Sequence, residues 1–229
     1  MKQIIVLGGG GFSMEPDNPR LDDYILKCTG RKRPRICFLG TASGDADGYI
    51  ERFHKAFKRK ARASHLKLFG TPRTDIRRFL LMQHAIFVGG GNTANMLAIW
   101  RVHGVDRFLG EAWRRGVVLS GISAGMICWF EAGVTDSFGP LAPLRDGLGL
   151  LPGSACPHYD GDKKRRPAYH RFVRAGFPGG YAADDGAALH FVGTKLFDVV
   201  KSRPGAKGYR VARVSGRVVE TSLPPSATA

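Results

Sequence analysis

The sequence predicts an α/β fold, a mostly parallel sheet sandwiched between two layers of helices and finished by antiparallel hairpins. Three observations predict it. As far as Phe130, short apolar runs ending in glycine alternate with amphipathic stretches, the pattern of strands buried on both faces and joined by helices. Two glycine-rich turns, Gly89-Gly90-Gly91-Asn92-Thr93 and Gly121-Ile122-Ser123-Ala124-Gly125, each follow an apolar run and lead into helix-compatible sequence. From Ala187 to Glu220 the pattern changes to short alternating runs (AALHFV, LFDVV, YRVARV, RVVETSL) separated by turn residues, which read as antiparallel strands completing the sheet.

The elements follow in order. Gln3 to Leu7 and Arg35 to Leu39 are the first two strands. A helix is expected from about Gly48 to Ala63, because Ile50, Phe53 and Phe57 share one side and the basic residues the other. Ala85 to Val88 is the next strand, followed by helices over Asn95 to Val102 and Val105 to Arg115. Gly116 to Ser120 is the strand that delivers Ser123, and Ala124 to Phe130 has helix composition. Gly133 to Gly153 is rich in Gly, Pro and Asp and is expected to wrap the surface. Arg166 to Ala175 reads as a helix and Gly180 to Ala183 as a strand end. Residues 1–221 are expected to form a single domain, with 222–229 a disordered tail.

The chain has 229 residues, 43% of them hydrophobic, enough for one full core. No run of about 18 apolar residues is present and the N-terminal apolar stretch is too short for a signal peptide, so a cytoplasmic protein is expected, without membrane contact. Cys28, Cys37, Cys128 and Cys156 lack metal-site spacing and are expected to be reduced thiols, with no metal or cofactor. The net charge of +16 is concentrated in Arg31 to Arg35, Phe53 to Lys67 and Lys163 to Arg166. No nucleic-acid-binding motif surrounds these clusters, so they read as a solvated basic face, with nucleic-acid binding a minor alternative.

Chemistry concentrates at Ser123. A G-x-S-x-G between a buried strand and a helix is the context of a nucleophile elbow, whose flanking glycines let the turn close around an exposed hydroxyl; alone it could equally be a tight turn. The Ala124 amide opens the following helix, and the glycine turn at Gly90 and Gly91 presents amides at the same sheet edge, so together they can form an oxyanion hole. Gly8-Gly9-Gly10-Gly11 has Ser13 where a dinucleotide fingerprint needs its third glycine, so it reads as a strand-end turn lining the site. Of seven histidines, His158 in Cys156-Pro157-His158-Tyr159-Asp160 falls in a loop after the serine, where a general base belongs, with His170 in reserve. Asp136, Asp160, Asp184 and Asp185 are the candidate acids, and spacing does not choose among them.

With Val88-Gly-Gly-Gly-Asn-Thr, Gly121-Ile-Ser-Ala-Gly, Pro157-His158 and Asp185-Gly186 in this order, nearly the whole chain resembles the peptidase E and cyanophycinase family of serine peptidases. The resemblance implies a three-layer α/β/α sandwich like that of class I glutamine amidotransferases, a flavodoxin-like arrangement. It implies Ser123 as nucleophile, His158 as base and Asp185 as the acid, where the family commonly has glutamate, with Asp136 the runner-up. The implied activity is that of an exopeptidase or dipeptidase on short peptides, N-terminally aspartyl ones among them. Asn92, Arg165 and Arg166 are the expected substrate contacts, the arginines as a carboxylate clamp or else as a solvated charge run. The rivals are an amidase or esterase with the same machinery and a silent binding domain. A monomer or homodimer is expected.

Overall fold

The computed structural model describes residues 1–71 and 75–224. Five strands form the parallel part of a seven-stranded sheet: β1 (Gln3–Leu7), β2 (Arg35–Leu39), β3 (Arg62–Leu66), β4 (Ala85–Val88) and β5 (Val118–Ile122). Two later strands, β10 (Ala187–Val192) and β11 (Lys195–Lys201), complete it antiparallel, giving the order β11-β10-β1-β5-β4-β2-β3. The strand sequences are apolar on both faces because both faces are covered. Ile5, Leu7, Ile36, Phe38 and Phe87 pack beneath α1 (Arg20–Cys28) and α2 (Asp47–Phe57). Their neighbours Ile4, Val6, Cys37, Leu39, Ile86 and Val88 face α3 (Ile76–Leu81), α4 (Thr93–His103) and α5 (Val105–Arg114). The period of two along each strand thus divides the core into two layers.

The structure revises four sequence expectations. The helix expected over 48–63 ends at Phe57, and Arg62–Leu66 is the edge strand β3, whose mostly accessible side chains hide it from an apolar-run search. The helix after Ser123 is a single turn, α6 (Ala124–Ile127), because Phe130 already begins a strand. Residues 133–153 are not a surface wrap: they carry strands of a second sheet, ordered β13-β12-β9-β8-β6-β7. Its members are β6 (Phe130–Thr135), β7 (Ala142–Leu144), β8 (Leu151–Cys156), β9 (Gly180–Ala183), β12 (Gly208–Val214) and β13 (Arg217–Leu223). The last hairpin therefore joins this second sheet and not the first, and β13 runs to Leu223, two residues past the expected boundary. Residues 225–229 of the expected tail lie outside the described residues.

Helix α7 (Arg165–Arg174) covers the second sheet through Tyr169 and Val173, which pack with Val134, Cys156, Ala182 and Val211. Among the described residues, no helix is long and apolar enough to cross a membrane. All four cysteines are unpaired, three of them buried.

Candidate active site

Strand β5 ends at Ile122, and Ser123 adopts φ 57° and ψ −110°, left-handed backbone that an L-residue rarely holds outside functional turns. Both glycines of the motif are sterically required. A Cβ at Gly121 would meet the Gly125 carbonyl at 2.5 Å, and one at Gly125 would collide with the Val88 carbonyl of β4. The elbow thus closes by pressing α6 against two strands at once. Ser123 N donates to the Leu7 carbonyl at 3.2 Å, while Ser123 O accepts from Met126 and Ile127. The Ala124 amide, in the first turn of the helix, is left without an intrahelical partner.

The neighbouring loop brings the glycine turn beside the serine. A Cβ at Gly90 would lie 3.3 Å from Ser123 Cβ and 3.8 Å from Oγ, so glycine is what allows this approach. The Gly90 amide is already engaged: it donates to the Tyr49 hydroxyl at 3.3 Å, and that hydroxyl is 2.5 Å from Ser13 Oγ. Burial raises the Tyr49 phenol pKa, opposed by these two hydrogen bonds. Gly91 has φ +137° and leans on Ala42, and its amide has no hydrogen-bond partner among the described residues.

His158 sits in the turn after β8 with φ 52°, a second non-glycine residue in left-handed geometry. Its amide donates to the Gly8 carbonyl at 3.2 Å, so Ser123 and His158 hang from consecutive carbonyls at the end of β1. His158 Nδ1 lies 2.6 Å from Asp185 Oδ1. That leaves Nε2 as the ring nitrogen able to face a substrate or nucleophile; no hydrogen bond within 3.5 Å joins it to Ser123 Oγ among the described residues.

Asp185 is held by its whole turn. Its amide donates to Asp160 Oδ1 at 2.8 Å and its carbonyl accepts from Arg203 Nε at 2.9 Å, while Arg203 also pairs with Asp160. The next amide, Gly186 N, donates to Gly9 O at 3.0 Å, bridging this turn to the end of β1. Side chains at Gly9 or Gly161 would overlap the Asp185 carboxylate. The N-terminal glycine run thus lines the site as the sequence suggested, and its specific task is to clear space for a carboxylate.

The other predicted residues are placed elsewhere. Asp136 pairs with Arg165 at 3.2 Å and not with His158. Asp184 is buried and its carboxylate accepts from Lys207 N and the Tyr209 hydroxyl, and burial raises its pKa. The Asn92 side chain caps α4 by accepting from Asn95 N at 2.9 Å and donates to the Ser137 carbonyl at 3.0 Å, so both ends of its amide are structural. The arginine clamp is also committed internally. Arg165 is buried against Asp136, Asp162 and the Val134 carbonyl. Arg166 forks onto Glu220 and stacks on Tyr159 and Tyr209 at 5.4 and 5.2 Å. The reserve base His170 bonds the same Glu220 at 2.8 Å. Residues that sequence reasoning missed are Tyr49, Arg203 and Gly161; none belongs to a motif, and only the fold gathers them, while Asp160, one of the candidate acids, holds the Asp185 turn and does not meet the imidazole. Among the described residues, no cluster of three or more His, Cys, Asp or Glu is placed to hold a metal.

Comparison with known proteins identifies the family and the fold. The profile of Peptidase family S51 matches residues 4–199. The uncharacterized peptidase YgaJ of Bacillus subtilis (strain 168) is 58% identical over 226 residues, covering 98% of each chain. Two solved structures share the fold: a peptidase from an acI-B1 Actinobacterium, with TM-score 0.70, 16% identity and 97% of both chains covered, and a putative peptidase E protein from Listeria monocytogenes EGD-e. The latter gives TM-score 0.65 and 18% identity over 88% of this chain and 98% of its own. The chain is a member of peptidase family S51.

Proposed function

We propose that the chain is a serine exopeptidase of short peptides, working through Ser123, His158 and Asp185. The observation that carries the reading is the 2.6 Å pair of His158 and Asp185, mounted on the carbonyl next to the one that anchors the strained Ser123 elbow. Asp185 fixes His158 with Nδ1 protonated and steadies the imidazolium that forms when Nε2 takes the Ser123 proton. Ser123 Oγ attacks the scissile carbonyl, and the developing oxyanion is received by the amides of Ala124 and Gly91, the latter positioned by its neighbour Gly90, whose amide the Tyr49 hydroxyl anchors. One such donor contributes about 3 kcal/mol to the transition state. His158 returns the proton to the leaving amine, and water then cleaves the acyl-enzyme by the same route. Serine-to-base contacts that are long without substrate tighten in the Michaelis complex.

The substrate is a short peptide whose recognition does not depend on Arg165 or Arg166, because both guanidinium groups are already matched to carboxylates. Its four unpaired thiols suit a reducing compartment, and we place the enzyme in the cytoplasm. The test is a fluorophosphonate label combined with a panel of dipeptides and simple esters. Labelling of Ser123 that is lost in His158→Ala, together with dipeptide turnover, is the expected result. Fast ester cleavage with no peptide turnover would replace the peptidase by an esterase.

A further inference from the structure

A cluster of cations lies at the edge of the central sheet opposite Ser123. Ser123 and its partners occupy the carboxyl edge of the parallel strands. The connections that enter β2 and β3 at the opposite edge carry Arg31, Lys32, Arg33, Arg59 and Lys60, all exposed. A five-residue strand spans about 17 Å, which sets the distance between this edge and the serine. With Lys27, these residues line an open groove of about 680 Å³ floored by Leu26 and Pro34. Its one acid, Asp23, is 2.6 Å from Lys60 and already paired. The end of α5 adds exposed Arg114 at the same edge, next to Arg115, which pairs with Glu111 at 2.8 Å. His84, just ahead of β4, reports the resulting field: its pKa is lowered by burial and then by Arg35, Arg31 and Arg62.

Helix dipoles account for part of this, since cations are favoured at helix C-termini and Lys27 ends α1. Arg31 to Arg33 and Arg59 to Lys60 lie beyond those ends, in connections where the dipole gives them no such support. Uncompensated like charges in a shared concavity repel one another, and a polyanion would relieve that repulsion.

We infer that this groove docks the phosphate backbone of duplex nucleic acid. Arginine forks and lysine ammonium groups both suit phosphate oxygens. No aromatic residue lines the groove, so it has no platform on which single-stranded bases could stack. Its apolar floor is buried, leaving no wedge to enter a lipid layer. Recognition is therefore by charge and groove shape, without sequence preference, and independent of the peptidase chemistry at the far edge.

The experiment measures fluorescence anisotropy of a mixed-sequence duplex of about 20 base pairs with the full chain, from about 50 to 300 mM salt. Five cations beside the Asp23–Lys60 pair predict a log–log salt slope of about −4.5. The triple variant Arg31→Glu, Lys32→Glu, Arg33→Glu is expected to bind at least about tenfold more weakly, with the slope reduced by about 3. A control with the same net charge, Lys195→Glu, Arg213→Glu, Arg217→Glu, alters exposed cations elsewhere and is expected to stay within about threefold of the parent. Equal losses in the two variants would mean bulk charge alone and overturn the proposal. So would binding to phosphatidylserine vesicles that excess duplex fails to displace. Thermal melting checks both variants, and an Arg31→Gln, Lys32→Gln, Arg33→Gln chain replaces the first if it does not fold. Dipeptide turnover is expected to be unchanged throughout, so failure of the peptidase reading would be seen separately.

Discussion

His158 Nδ1 and Asp185 Oδ1 lie 2.6 Å apart, within a turn whose neighbouring positions, Gly9 and Gly161, carry no side chain. Asp185→Asn keeps the shape but no longer stabilises the protonated ring or its tautomer. The expected outcome is a fall in kcat of about 10³ to 10⁴ with KM changed by less than about threefold. Steady-state kinetics on a dipeptide decides it, and a loss under tenfold would move the acid's role elsewhere. The parallel variant Asp136→Asn is expected to retain most activity, because its carboxylate meets Arg165 and not the imidazole.

Gly9→Ala tests the cradle without touching a charged group. The new methyl group would occupy the place of Asp185 Oδ1. The carboxylate must swing off His158, so kcat should fall by at least about a hundredfold, approaching the Asp185→Asn value. Wild-type kinetics in a folded Gly9→Ala protein would show that the pair is not needed in this arrangement.

Tyr49→Phe removes the hydroxyl that joins Ser13 to the Gly90 amide. The glycine turn loses one of its anchors beside Ser123, and a less well-held donor stabilises the oxyanion less. A fall in kcat of about tenfold with KM nearly constant is expected, below the loss seen when an oxyanion donor itself is deleted. A change in KM alone would assign Tyr49 to substrate binding.

Asp22 offers a stability test. Burial, opposed by the Phe12 backbone, raises its pKa to about 7, and Oδ1 has no hydrogen-bond partner among the described residues. Between its ordinary value near 4 and about 7 the unfolded chain gives up this proton more readily than the folded one, so stability falls as pH rises through that window and is level above it. The shift corresponds to about 4 kcal/mol as an upper limit. Asp22→Asn is expected to raise stability by about 1 to 2 kcal/mol at pH 8 and to change it little at pH 4, by urea unfolding at both. Equal effects at the two pH values would contradict this.

Arg166→Ala separates structure from recognition. Arg166 links α7 to β13 through Glu220 and covers Tyr159 and Tyr209. Stability should drop by about 1 kcal/mol, the scale of an accessible fork with cation–π contacts. KM for aspartyl and neutral dipeptides should move together. A selective rise for aspartyl substrates would restore the carboxylate clamp.

Four of the five parallel strands of the central sheet and the Ser123 elbow were legible in the sequence because buried strands and strand-to-helix turns leave contiguous marks: apolar runs, and glycines where backbones touch; the exposed edge strand β3 left no such mark. His158 and Asp185 were legible only as candidates, since a loop histidine and a strand-end aspartate look alike whether or not they meet. What failed was whatever depended on distant partners. Strands β6 and β8 are broken by glycine and proline, and their pairing is set by β9 and α7. Arg165 and Arg166 resembled free cations because Asp136 lies 29 positions away from the first and Glu220 54 from the second. Tyr49 occupied an ordinary helical position, and nothing local marks a hydroxyl that reaches an amide in the loop after β4.

The bridge between Gly9 and Asp185 also sets an order of events during synthesis. β1 is made before the other strands of its sheet, but its outer edge is covered by β10, whose sequence follows Asp185. Until then the early chain has a sheet edge open to chaperones or to other strands, and the proposed acid has not arrived. Ser123 is translated long before the group that would arm it through His158. A nascent or truncated chain ending before Asp185 is therefore expected to lack the group proposed to arm the serine, and hydrolysis would wait until that turn has been made.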